Sequence, residues 1–137
     1  MILSNEQIAA ITRLLGARHE QNGADTLLHI GGGSSTTPSV VMTISPLTTG
    51  TTILSAQTVH GYFELHNLTR YVPVEPDEVI FVAENGDHIS GLVVGATGAC
   101  SLFANVSRGI ISGDFTTLEP SLLLAAMQLG LAENITV

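Results

Sequence analysis

The run His60-Gly61-Tyr62-Phe63-Glu64-Leu65-His66 brings two imidazoles and a carboxylate into one short stretch. In a strand, alternation puts His60, Tyr62, Glu64 and His66 on one face. Two histidines and a carboxylate form a ligand set used at catalytic zinc and iron sites. In a helix, His60 and Glu64 share a face and His66 is displaced, which suits three ligands less well. The stretch lacks the His-Glu-x-x-His pattern of helical zinc sites. Its bland reading is that Val59, Phe63 and Leu65 enter the core while the polar side meets water or a partner.

Cys100 would be a nucleophile if His60 or His88 took its proton, with Asp87 or Glu64 orienting that histidine. Backbone donors near Gly98 and Ala99 would then face the oxyanion. An isolated cysteine is more often a small buried hydrophobe. Arg70 and Arg108 are candidate anion-binding residues, although Arg70 can equally pair with Glu64 or Glu75. The loop from Gly31 to Pro38 offers backbone donors and hydroxyls but no phosphate-loop lysine. A flexible loop is its stronger reading.

These residues must be held by elements that the pattern marks out unevenly. Ser4 is a helix N-cap, with Gln7 completing a capping box and Leu3 placed to staple onto Ile8. Ile8, Ile11 and Leu15 then recur at helical spacing, predicting a helix from Asn5 to about Glu20 with Gly23 as its exit. Strands are expected at Ala24 to Ile30, Val40 to Ile44, Thr51 to Leu54, Glu78 to Ala83, Ile89 to Val94 and Ala99 to Val106. Asn85-Gly86 marks a hairpin. Ser55 to Thr69 is read as a helix, despite Gly61 and aromatics that also suit a strand. Pro120 and the run Leu122 to Leu129 predict a C-terminal helix, broken at Gly130.

This order predicts one α+β domain over residues 1–137, with a central, mainly antiparallel sheet between N-terminal and C-terminal helices. The expected shape is a compact two-layer or three-layer sandwich resembling the roadblock or profilin-like architectures. No motif carries functional residues over from either.

Composition narrows the class of function. The chain has no lysine, four arginines and twelve acidic residues, for a formal charge of -8. Charged residues make up 12%, about half the share usual in soluble domains. Four scattered arginines cannot supply the basic stripe that nucleic-acid binding requires, nor one for an anionic membrane surface. The apolar run at Leu122 to Met127 is far short of a bilayer span. One cysteine excludes an intrachain disulfide, and with no export signal in view the expected compartment is the cytoplasm.

A C-terminal helix that is apolar on most sides cannot turn all of them to one core. Leu122, Leu123, Met127 and Leu129 are therefore the expected interface anchors, with Leu124 and Leu131 completing the core. The leading expectation is a non-catalytic binding or structural protein that works as a homo-oligomer or in a protein assembly. The alternative is a divalent-metal hydrolase or isomerase using His60, Glu64 and His66.

Overall fold

The computed structural model describes residues 1–32, 39–59, 61–74, 76–86 and 88–107. Helix α1 (Asn5–Leu14) begins as the sequence predicts. The Ser4 side chain accepts from the Gln7 amide at 3.1 Å, and Gln7 Oε1 accepts from the Ser4 amide at 2.8 Å. The helix stops earlier than expected because Gly16 adopts φ 57, a left-handed conformation that ends the spiral. Gly16 then donates to the Arg13 carbonyl and Ala17 to that of Thr12, satisfying two carbonyls of the last turn in a Schellman arrangement.

The residues expected to finish the helix instead form strand β1 (Arg18–Asn22). Gly23, at φ 63, starts the two-residue turn into β2 (Asp25–Gly31). Strands β3 (Ser39–Pro46), β4 (Thr52–Gln57) and β5 (Tyr62–Leu65) complete a five-stranded sheet in sequential order. A four-stranded sheet follows: β6 (Leu68–Val74), β7 (Glu78–Asn85), β8 (His88–Gly95) and β9 (Cys100–Ser107). All pairings are antiparallel. The Asn85-Gly86 hairpin forms as expected, pairing Asn85 with His88 around Gly86 at φ 60.

The α+β plan of one central sheet between N-terminal and C-terminal helices is therefore overturned. The described residues make two antiparallel meanders and a single helix. The middle helix expected over Ser55 to Thr69 is replaced by the end of β4, by β5, and by the start of β6. Its aromatic and branched residues gain more by pairing on a pleated surface than by crowding a helical turn. Asn67 turns the chain between β5 and β6 at φ 62, a conformation that asparagine tolerates better than most residues. The expected C-terminal helix lies outside the described residues.

Each sheet buries one face by strict alternation. Leu28, Ile30, Val40, Met42, Ile44, Leu54, Ala56 and Leu65 from the first sheet meet Leu68, Val79, Phe81, Ala83, Leu92 and Val94 from the second in one core. Leu3, Ile11 and Leu15 extend it from the helix side. The amine of Met1 donates to the Leu68 carbonyl at 3.0 Å, while the Thr52 hydroxyl donates to the Met1 carbonyl at 2.6 Å, so one residue bridges the two sheets. Ile80, Val82, Ile89 and Val93 alternate to the other face of the second sheet and are buried as well. Strand β6 carries Pro73 and a register shift between Leu68 and Arg70, as an edge strand allows. There the Thr69 hydroxyl donates to the Val82 carbonyl at 3.0 Å.

Phe81 is fully buried and packs a tilted ring against Tyr71, with centroids 6.5 Å apart. Phe81→Ala should cost about 3–5 kcal/mol in urea unfolding. Ser4→Ala, which removes only the cap, should cost about 1 kcal/mol.

Candidate functional site

Strand β5 and the residue after it bring part of the predicted ligand set together. Glu64 Oε1 lies 3.0 Å from His66 Nε2, and the Tyr62 hydroxyl donates to Glu64 Oε2 at 3.1 Å. An ionised carboxylate only accepts, so this contact places the imidazole hydrogen on Nε2. Both carboxylate oxygens are thus engaged by neighbours on the same strand face. The pair is open to water, with the His66 side chain 64% exposed, and an exposed ion pair of this kind contributes little to stability. His60 lies outside the described residues. Among the described residues, no three His, Cys, Asp or Glu side chains converge as metal ligands would.

Of the two anion candidates, only Arg70 is among the described residues. Arg70 is half-buried on the outer face of the second sheet, beside Val82. Glu64, its suggested partner, belongs to the first sheet and is held by Tyr62 and His66. Arg108, the segment from Gly33 to Pro38, Glu75 and Asp87 lie outside the described residues, as do the interface anchors Leu122, Leu123, Met127 and Leu129.

Cys100 faces the shared core opposite Val94, and burial pushes its thiol up from 9.0 to about 11. His88 sits six residues along β8 from Val94, about 20 Å at roughly 3.3 Å per residue. That is far beyond proton-transfer reach, and His60, the other candidate base, lies outside the described residues.

Two surfaces that the sequence did not indicate emerge from the strand register. The first is the outer face of the five-stranded sheet. One cross-strand row runs Arg18, His29, Val41, Gln57 and Tyr62, and the next runs Glu20, Leu27, Thr43, Ser55 and Glu64. Leu27, Val41, Thr43, Ser55 and, one row further, Ile53 are half-buried; Arg18, Glu20 and Glu64 stand on the two edge strands and Asp25 at the hairpin end of β2. His29 Nε2 is enclosed without a hydrogen-bond partner and lies 3.6 Å from Glu20 Oε2.

The second surface is a cleft of about 540 Å³ between α1 and the β1–β2 hairpin. Here β1 turns His19 and Gln21 toward the core side, where β2 carries Leu28 and Thr26 opposite them. The cleft opens because the edge strand supplies polar side chains where its neighbours supply aliphatic ones. The Asn22-Gly23 dipeptide carried the signal, since it is the same hairpin mark as Asn85-Gly86.

No protein family, curated protein or solved structure matches the chain. Functional inference therefore rests on its own geometry. No described helix is long and apolar enough to cross a membrane.

The raised Cys100 thiol gives a direct test. At pH 8, a shift from 9.0 to about 11 lowers the thiolate fraction roughly 100-fold. Alkylation of the folded protein by iodoacetamide should be slower than that of the urea-unfolded chain by about that factor. Because the folded thiol holds its proton longer, stability should fall as pH rises from 9 toward 11. Cys100→Ala should flatten that slope.

Proposed function

We propose that this chain is a non-catalytic binding or structural protein that works by associating with a second copy of itself. The observation that carries the reading is the outer face of the five-stranded sheet. Its centre combines aliphatic and hydroxyl side chains, Leu27, Val41, Thr43, Ile53 and Ser55, and its charge is confined to the rim. That is the anatomy of a protein interface, an apolar centre within a polar border.

Two further features support the same face. His29 Nε2 is enclosed 3.6 Å from Glu20 Oε2 and makes no hydrogen bond among the described residues, so the β1 carboxylate is drawn down onto the sheet. The two edges also differ in character: β1 brings Arg18, while β5 brings Tyr62 and Glu64. A two-fold axis along the strands sets β1 of one copy over β5 of the other, apposing guanidinium with ring and carboxylate. Glu20, the acidic group on β1, is turned toward His29.

Size sets the strength of the contact. Five strands about 4.8 Å apart and some six residues long give a face on the order of 400 Å². That is about half of the roughly 800 Å² per partner in a standard interface. The pair is therefore weak and concentration-dependent unless Leu122, Leu123, Met127 and Leu129 add a second contact.

The metal-dependent alternative retains Glu64 and His66 as adjacent ligands and needs His60 as the third. Stoichiometric zinc or iron in the purified protein, lost on changing His60 and His66, would favour it.

Sedimentation velocity across micromolar to millimolar concentrations should show a monomer–dimer equilibrium. Val41→Glu should shift the midpoint at least tenfold upward while leaving circular dichroism unchanged. A monomer throughout, or a dimer indifferent to Val41→Glu, would remove this face from the reading. Parallel loss of the dimer in Leu123→Gln with its fold intact would assign the contact to the C-terminal anchors.

A further inference from the structure

We propose that the cleft between α1 and the β1–β2 hairpin is a binding site for a small monocarboxylate with an apolar tail. One end of the cleft carries a guanidinium beside an imidazole. Arg13, in the last turn of α1, and His19, on the core-facing side of β1, both line it. Neither side chain makes a hydrogen bond or ion pair among the described residues, and the guanidinium fork can take a carboxylate through two parallel N–H···O bonds.

The polar wall is already set. The Thr26 hydroxyl donates to Gln21 Oε1 at 3.2 Å, and Gln21 Nε2 donates to the Gly23 carbonyl at 3.1 Å. These bonds fix the Gln21 amide and leave it one N–H to offer the ligand. Thr26 is itself only 4% exposed, so the wall rests on a buried anchor rather than on a mobile surface side chain.

Away from Arg13 the walls turn apolar. Ile8 and Ala9 line the helix side of the 540 Å³ cleft. A second hollow of about 330 Å³ shares Ile8, Gln21 and Thr26 with it and continues to Leu3, Ile44 and Pro46. That hollow is the more polar of the two, with Asn5 and Thr52 also in its lining, so the apolar room for a tail lies along Ile8 and Ala9 in the larger cleft. Its volume lies within the range of small-molecule sites, which are mostly apolar with a few placed polar groups.

Charge selects the head group. One guanidinium balances one negative charge, and the cleft has no second arginine or lysine in its lining to hold a dianion such as phosphate. Repulsion from distant carboxylates is screened beyond about 8 Å at physiological salt, so Arg13 governs the local field. A short aliphatic chain suits the remainder, because most of the surface that the larger cleft exposes is apolar. The site is independent of the sheet face proposed for association.

Octanoate is the probe, titrated below its micellar concentration by calorimetry and by amide chemical shifts. The wild-type protein should bind it with shifts centred on Ile8, Ala9, Gln21 and Thr26. Arg13→Gln should weaken binding at least tenfold. Arg70→Gln, on the outer face of the second sheet, should leave it unchanged, and Ala9→Phe should fill the groove and abolish it. Circular dichroism confirms that each variant is folded. Octanoate binding that is absent in the wild type, equal in Arg13→Gln, or matched by 1-octanol would overturn the assignment.

Discussion

Neither meander can leave its inner face in water. Every central strand contributes aliphatic side chains to the inner face of its sheet, and each inner face is covered by the other sheet and by α1. The helix supplies Ile11 and Leu15, and Leu3 extends the contact from just before its cap. Burial at roughly 1.5–3 kcal/mol per large side chain makes this seam the dominant favourable term of the fold. Everything at the surface follows from how the two sheets and the helix close over it.

Strand β1 links the core to both proposed surfaces. It lies at the edge of the five-stranded sheet, with all five residues exposed. One of its faces turns His19 and Gln21 into the cleft below α1, and the other turns Arg18 and Glu20 to the rim of the sheet face. A single polar strand thus supplies a wall to a groove and a border to a flat surface. The short connection through Gly16 and Ala17 permits this, because it reverses the chain directly from the helix into the sheet.

The sequence was most legible where alternation or a local hydrogen-bond motif was strong. Ser4 and Gln7 marked the helix start, Asn85-Gly86 marked a hairpin, and the aliphatic alternation of β2, β3, β7 and β8 marked those strands. It was least legible at β1, whose Arg-His-Glu-Gln-Asn composition carries no apolar period and reads as the polar end of a helix. The segment from Ser55 to Thr69 misled for a different reason. Its apolar residues fall at spacings that satisfy either period, and pairing with β4 and β7 decided between them. The predicted site suffered accordingly. Alternation correctly set Glu64 and His66 on one face, but nothing in their spacing disclosed that Tyr62 and His66 would occupy both oxygens of the carboxylate. The cleft was invisible because its Arg13 and His19 belong to elements that had been read as one continuous helix.

The borders of the sheets also limit how copies can meet. A bare strand margin invites another chain to add to it and so permits open-ended growth. Here β1 presents alternating charged and amide groups, β5 is only four residues long, and β6 interrupts its hydrogen-bonding rim with Pro73 and a bulge. Lateral zippering is discouraged along three of the four margins, so the proposed contact across the flat of the sheet would close as a pair rather than extend into a fibre.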